Sequence, residues 1–147
     1  MTNGDRSLGV VVVTHGQLAS ELLNAAEMIV GDLPGFAAVS IGWQDPVDVA
    51  RDAIERAIAR VDRGSGVLLL TDMFGGTPSN LGLTFLDAGR VELVTGVNLP
   101  MLIKLAKASE AGELRARARA LCDHGRAAIR VASDLLHGGV DTVDREE

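Results

Sequence analysis

Aromatic side chains are scarce in this chain: they make up 3% of it, with one tryptophan and no tyrosine. A core without large rings must be filled by Val, Leu, Ile and Ala, a composition that suits helices layered on a parallel sheet. Cys122 is the single cysteine, so no disulfide framework and no multi-cysteine metal centre can form within the chain, which fits a reducing compartment. Its place in a helical pattern makes it a packed structural thiol. Basic charge is not in excess: 14 Lys and Arg stand against 20 Asp and Glu, a formal net charge of −6. That balance argues against a nucleic-acid surface, which needs clustered Lys and Arg. Arg115, Arg117 and Arg119 are the nearest thing to a basic run and read as the solvated side of a helix. No uninterrupted apolar stretch approaches the ~20 residues that cross a bilayer. The opening residues, MTNGDRSLG, lack the apolar region of a signal peptide. Together these absences describe a cytoplasmic protein.

What is present is a regular alternation of apolar patterns. The length of 147 residues suffices for one domain with its own core. That domain is expected to span 1–147, with the core over 8–136. Leu8 to Val13 is a β-branched run and reads as a buried strand. Leu18, Leu22, Ala25, Ala26 and Ile29 then recur at helical spacing up to Gly31. Phe36 to Ile41 is a second strand, and Asp45-Pro46 reads as the N-cap and first turn of a helix with Val47, Ala50, Ile54, Ala57, Ile58 and Val61 on one face. Val67 to Leu70 is a third strand, followed by a Gly- and Pro-containing loop and a short helix from Ser79 to Leu86. Val91 to Val94 is a fourth strand. A short helix is expected from Pro100 to Ala108. A longer one begins near Glu113, with Leu114, Ala118, Leu121, Ala128, Ala132 and Leu135 inward. The segment from Gly138 carries little signal and is expected to fray or to add an edge strand on a partner subunit. Strands alternating with helices predict an α/β fold: a doubly wound open sheet of four parallel strands in the order 2-1-3-4, with helices on both faces.

In such a sheet, ligands sit beyond the carboxyl ends of the strands where the strand order reverses, here between strands 1 and 3. Strand 1 runs into Thr14-His15-Gly16, and strand 3 into Thr71-Asp72-Met73-Phe74-Gly75-Gly76-Thr77-Pro78. The topology therefore brings His15 and Asp72 to neighbouring strand ends. A carboxylate can hold one ring nitrogen and fix the tautomer, leaving the other nitrogen a free nucleophile. Gly75 and Gly76 allow close backbone approach, Thr77 adds a hydroxyl, and Pro78 and Ser79 open a helix whose free N–H groups favour an anion. The arrangement reads as a phosphoryl-accepting site. Each feature also has a plain structural reading: a strand-end histidine satisfied by backbone, an aspartate that caps a helix or binds metal, paired glycines that only turn. Their convergence on one crevice favours the functional reading. His124 and His137 have no comparable setting and read as surface or cap residues.

The stretches VVVVTHGQLASELLNAAEMIVG, LLLTDMFGGTPSN and LVTGVNLPML, in that order and spacing, resemble the IIA component of the mannose family of the bacterial phosphoenolpyruvate-dependent sugar phosphotransferase system. The resemblance runs from Gly9 to the last helix. It implies a domain that accepts a phosphoryl group from phospho-HPr on His15, at Nε2, and passes it to a IIB component for sugar uptake. It also implies that Asp72 holds Nδ1 and that Gly75, Gly76 and Thr77 hold the phosphoryl oxygens. It implies a homodimer, with an edge strand near the C-terminus exchanged between subunits, and a link to the membrane only through the sugar permease. A phosphohistidine passes its group on with no metal or cofactor. Trp43, Met73, Phe74 and the loop from Asn98 through Leu99 and Pro100 to Met101 are expected at strand ends, as an apolar rim that docks HPr. Some members carry a fused IIB domain; this chain ends at Glu147, so a separate IIB chain is expected. Without one, the protein would be a regulatory phosphorylation sensor acting on another protein.

Other His-Gly proteins fit less well. Histidine phosphatases carry an arginine before the histidine, where this chain has Thr14. Tetrapyrrole chelatases bind metal at a similar histidine but give no reason for DMFGGTP. The phosphotransferase subunit of dihydroxyacetone kinase has a different loop after the strand-3 aspartate.

Overall fold

The computed structural model describes residues 7–107 and 112–137. Along the chain lie β1 (Gly9–His15), α1 (Leu18–Val30), β2 (Phe36–Ile41), α2 (Val47–Val61), β3 (Val67–Thr71), α3 (Gly76–Leu83), β4 (Val91–Thr95), α4 (Leu99–Lys107), α5 (Leu114–Ala127) and α6 (Ala132–Leu136). The four strands form one sheet in the order β2-β1-β3-β4, and every neighbouring pair is parallel. This is the expected doubly wound arrangement, with β1 and β3 at its centre.

The period of two along each strand explains how the helices are shared out. Val10 and Val12 of β1, with Leu68 and Leu70 of β3, face a core completed by Ala19 and Ala26 of α1, Met101 and Leu102 of α4, and Leu114, Ala118 and Leu121 of α5. Val11 and Val13, with Val67 and Leu69, face the opposite core, closed by Ala50, Ile54, Ala57 and Val61 of α2 and Leu81 of α3. The four consecutive valines are thus two pairs serving two cores, and all four are buried. Fully burying each such side chain stabilises the fold by about 1.5–3 kcal/mol.

Local details depart from the sequence expectations at three places. Asp45 does not cap α2: its Oδ2 accepts the Gly42 N–H at 2.6 Å, and the helix begins after Pro46 without a side-chain cap. The carboxylate closes the turn after β2 instead. α3 starts three residues before Ser79, because Gly75 at φ +89° turns the chain into the helix before Pro78 is reached. It ends at Leu83, and bonds from Phe85 to Gly82 and from Leu86 to Leu83 continue the winding in a tighter form. The last long helix is two helices. α5 stops at Ala127 and α6 starts at Ala132, leaving Ala132 and Leu135 exposed where an inward face was expected. Ile129 and Val131 in the break are exposed too, so from Ile129 to His137 the chain has no core to wind against. The edge strand expected from Gly138 onward lies outside the described residues.

Among the described residues no helix is long and apolar enough to cross a membrane. Cys122 is half-buried on α5.

Candidate functional site

Alternation along the two central strands sets up the site. Val13 of β1 pairs in register with Thr71 of β3, so the next residues of each strand emerge side by side at the carboxyl edge of the sheet. On β1 the even positions face α1, which buries Thr14; its Oγ1 accepts the Ala19 N–H at 2.7 Å and ties α1 to the strand end. His15 takes the odd face, toward α3, and its side chain is half-exposed. On β3, Thr71 also faces α3. It is fully buried, with its Oγ1 2.7 Å from Ser79 Oγ.

Asp72 stands one residue beyond β3 and reaches across to β1. Its Oδ2 lies 2.8 Å from His15 Nδ1 and also accepts the His15 backbone N–H at 3.1 Å. Burial alone pushes the Asp72 carboxyl up. The hydrogen bonds from the His15 ring and backbone, with the electrostatic attraction of the ring, outweigh that and hold it below the usual aspartate range. The carboxylate is therefore ionised near neutrality and can only accept hydrogen bonds, so the ring nitrogen facing it carries the proton. Nε2 is left with its lone pair. The other oxygen, Asp72 Oδ1, is buried without a hydrogen-bond partner.

Gly76 stands against that free nitrogen. A Cβ at this position would sit 3.1 Å from both Nε2 and Cε1 of His15, and the backbone there is left-handed at φ +86°. Gly76 is also the first residue of α3, and Thr77, exposed, is the second. The unpaired N–H groups and positive dipole end of this helix thus point to the side of the ring where Nε2 is free. A half-exposed imidazole nitrogen beside a helix N-terminus can take an anionic group.

The expected rim divides in two. Trp43, two residues past β2, is 96% exposed, and Phe74 and Met73, past β3, are 76% and 54% exposed. They flank His15 on its two sides, since β2 and β3 both neighbour β1. Leu18 and Val47, at the starts of α1 and α2, are exposed as well. Sequence reading passed them over as inward helix residues, although each stands in the first turn after the carboxyl end of a strand.

Asn98 and Met101 are not on this rim. Met101 is buried, packed so tightly against Gly125 of α5 that a Cβ there would lie 2.9 Å from its side chain. Asn98 Oδ1 accepts the Met101 N–H at 3.1 Å, and its Nδ2 donates to the Gly125 carbonyl at 3.1 Å. The pair fastens α4 to α5. Their place after β4 suggested exposure, but α5 covers that strand end. Sequence reading also missed Thr14 and Thr71 as buried groups. The available signal was a threonine closing each central strand just before the two site residues. His124 and His137 are exposed, as expected.

A groove of about 700 Å³ runs from Phe74 of the rim along edge strand β4, floored by Leu83, Leu86, Leu93 and Val94 and walled by Arg115 and Arg119 of α5.

Fold and site together define an α/β protein that offers one imidazole nitrogen to a ligand at the switch point of its sheet. Comparison with known proteins narrows this class: residues 9–121 match the family model described as PTS system fructose IIA component, EIIA-man, and the chain belongs to that family. It is 34% identical over 110 residues to the PTS system mannose-specific EIIAB component of Escherichia coli (strain K12), a match covering 71% of this chain and 32% of that protein. The chain thus spans about a third of that relative's length. It is 28% identical over 104 residues to the PTS system fructose-specific EIIA component of Bacillus subtilis (strain 168), covering 70% of this chain and 71% of that one. The solved mannose/sorbose specific IIA subunit of the phosphotransferase system from Enterococcus faecalis superposes with a TM-score of 0.73 at 27% identity, over 85% of this chain and 94% of that one. The resemblance carried by the strand-end motifs and the family found by comparison are the same.

Proposed function

We propose that the protein is a cytoplasmic histidine phosphocarrier of the sugar phosphotransferase system, acting as one domain of this family. His15 Nε2 accepts a phosphoryl group from phospho-HPr and yields it to a separate IIB component, which serves sugar uptake. The observation that carries this reading is the 2.8 Å contact between His15 Nδ1 and Asp72 Oδ2, which leaves the outward ring nitrogen as the nucleophile. Nε2 attacks phosphorus, and the new P–N bond forms as the bond to the donor's nucleophile breaks. The ring gains positive charge in that step, and the ionised Asp72 beside Nδ1 stabilises it. The N–H groups opening α3, with the Thr77 hydroxyl and the backbone of Gly75 and Gly76, hold the phosphoryl oxygens. A side chain at Gly76 would occupy the space the phosphorus needs. Transfer onward reverses these steps.

Trp43, Met73 and Phe74 supply the apolar surface against which donor and acceptor dock, excluding water around the transferring group. Two copies of the chain pair through the groove beside β4 and the exposed apolar segment from Ile129 to Leu136.

Intact-mass spectrometry after incubation with phosphoenolpyruvate, enzyme I and HPr tests the central claim. One acid-labile phosphoryl group is expected, absent without HPr and absent in His15→Ala. His15→Ala should fold normally, because this ring sits at the rim of the sheet. Label retained by the His15→Ala protein, or none on the wild type with active HPr, would overturn the reading.

A further inference from the structure

We infer that Ser79 is a positioning residue for the His15–Asp72 pair. Its kinetic consequence rests on the phosphocarrier reading above; its structural consequence rests on geometry alone. Thr71 immediately precedes Asp72, and Met73 immediately follows it. Ser79 lies in the first turn of α3 and is fully buried. Its Oγ donates to the Met73 carbonyl at 2.5 Å and lies 2.7 Å from Thr71 Oγ1. A hydroxyl has one proton, and Ser79 commits its own to Met73, so the Thr71 hydroxyl donates to Ser79. One buried hydroxyl, on the helix that follows, therefore holds the residues on both sides of Asp72.

The segment needs such a tether. From Asp72 to Gly75 the chain is a run of bends, and Gly75 and Gly76 both take positive φ. Glycine leaves the backbone free to adopt other conformations. Yet this segment keeps Asp72 Oδ2 2.8 Å from one ring nitrogen while Gly76 abuts the other. Fixing the Met73 carbonyl fixes the peptide unit between Met73 and Phe74, and together with the bond to Thr71 this holds both residues flanking Asp72 and so the direction of its carboxylate. Ser79 acts on His15 through that peptide and that carboxylate.

The test compares Ser79→Ala, which removes both bonds at nearly constant volume, with Thr71→Val, which removes only the donor to Ser79, and Thr71→Ser, which keeps it. Ring-nitrogen NMR of His15 in the unphosphorylated full chain reports which nitrogen carries the proton. Rates with phospho-HPr report the consequence. The wild type is expected to hold its proton on Nδ1. Ser79→Ala is expected to show mixed tautomers and to take up phosphoryl groups about tenfold more slowly at unchanged KM. Thr71→Val should move the same way, and Thr71→Ser should match the wild type. A Ser79→Ala protein that is merely less stable, with the wild-type ring signature, overturns the inference. If Ser79→Ala does not fold, the Thr71 variants decide, and identical ring signatures for Val and Ser overturn it. Failure of the phosphocarrier reading looks different: the wild type then takes up no phosphoryl group while the ring signatures still separate the variants.

Discussion

A single oxygen, Asp72 Oδ2, meets both the backbone N–H and the ring Nδ1 of His15. Replacing Asp72 by Asn keeps the shape but adds a donor, so the amide can hold the ring in either tautomer and no longer meets its positive charge. Phosphoryl uptake by Asp72→Asn should fall by roughly 10²–10⁴-fold, read from initial labelling rates. The same substitution has a pH signature. Because the folded carboxyl lies below its unfolded value, its stabilising contribution is complete above about pH 4 and is lost as pH falls through the folded value. Urea midpoints should therefore separate wild type from Asp72→Asn at pH 7 and converge in strong acid; a constant gap would mean that the charge is not what stabilises. Gly76 is equally constrained. Gly76→Ala places a methyl 3.1 Å from Nε2 on a left-handed backbone. It should abolish labelling while costing only about 1–2 kcal/mol of stability in denaturant titration.

Among the elements, the central strands were the most legible in the sequence and the helices around α5 the least. β1 and β3 announce themselves as short apolar runs ending in threonine, and the β2-β1-β3-β4 order follows from alternation with helices, so His15 and Asp72 could be paired before any coordinates. Whether the end of β4 is open depends on where α5 lies, and that is set by contacts distant in sequence, such as Met101 against Gly125. For this reason Asn98 and Met101 read as surface but are structural. Asn98→Ala leaves the Gly125 carbonyl and the Met101 N–H each short of a side-chain partner. It should lower stability by about 1–3 kcal/mol, seen as a shifted urea midpoint. The KM for phospho-HPr should stay unchanged. Trp43→Ala should do the reverse, raising that KM several-fold with stability intact, since a side chain 96% exposed adds nothing to the core.

For the molecule as a whole, the distribution of apolar surface bears on assembly. α6 buries none of its residues, and Ile129, Val131 and Leu136 stand 76%, 64% and 84% exposed. The groove beside β4 is floored by Leu83, Leu86 and Leu93, and among the described residues β4 is the edge strand of the sheet, its outer side bonded to Asp87 at Val91. Among the described residues, an apolar segment without a core and an uncovered groove with an apolar floor, on one chain, are suited to cover each other between two copies. Pairing that hides both would remove several side chains from water, each worth about 1.5–3 kcal/mol when fully buried. The proposed dimer predicts that changing Leu135 and Leu136 together to Ser weakens association at least tenfold, followed by sedimentation velocity across a dilution series. Phosphoryl uptake per chain should survive the change, because His15, Asp72 and Gly76 all come from one copy, on β1, the β3–α3 loop and α3. Unaltered association would place the dimer contact elsewhere. Lost uptake in a folded monomer would mean instead that the second copy completes the docking surface for the phosphoryl donor.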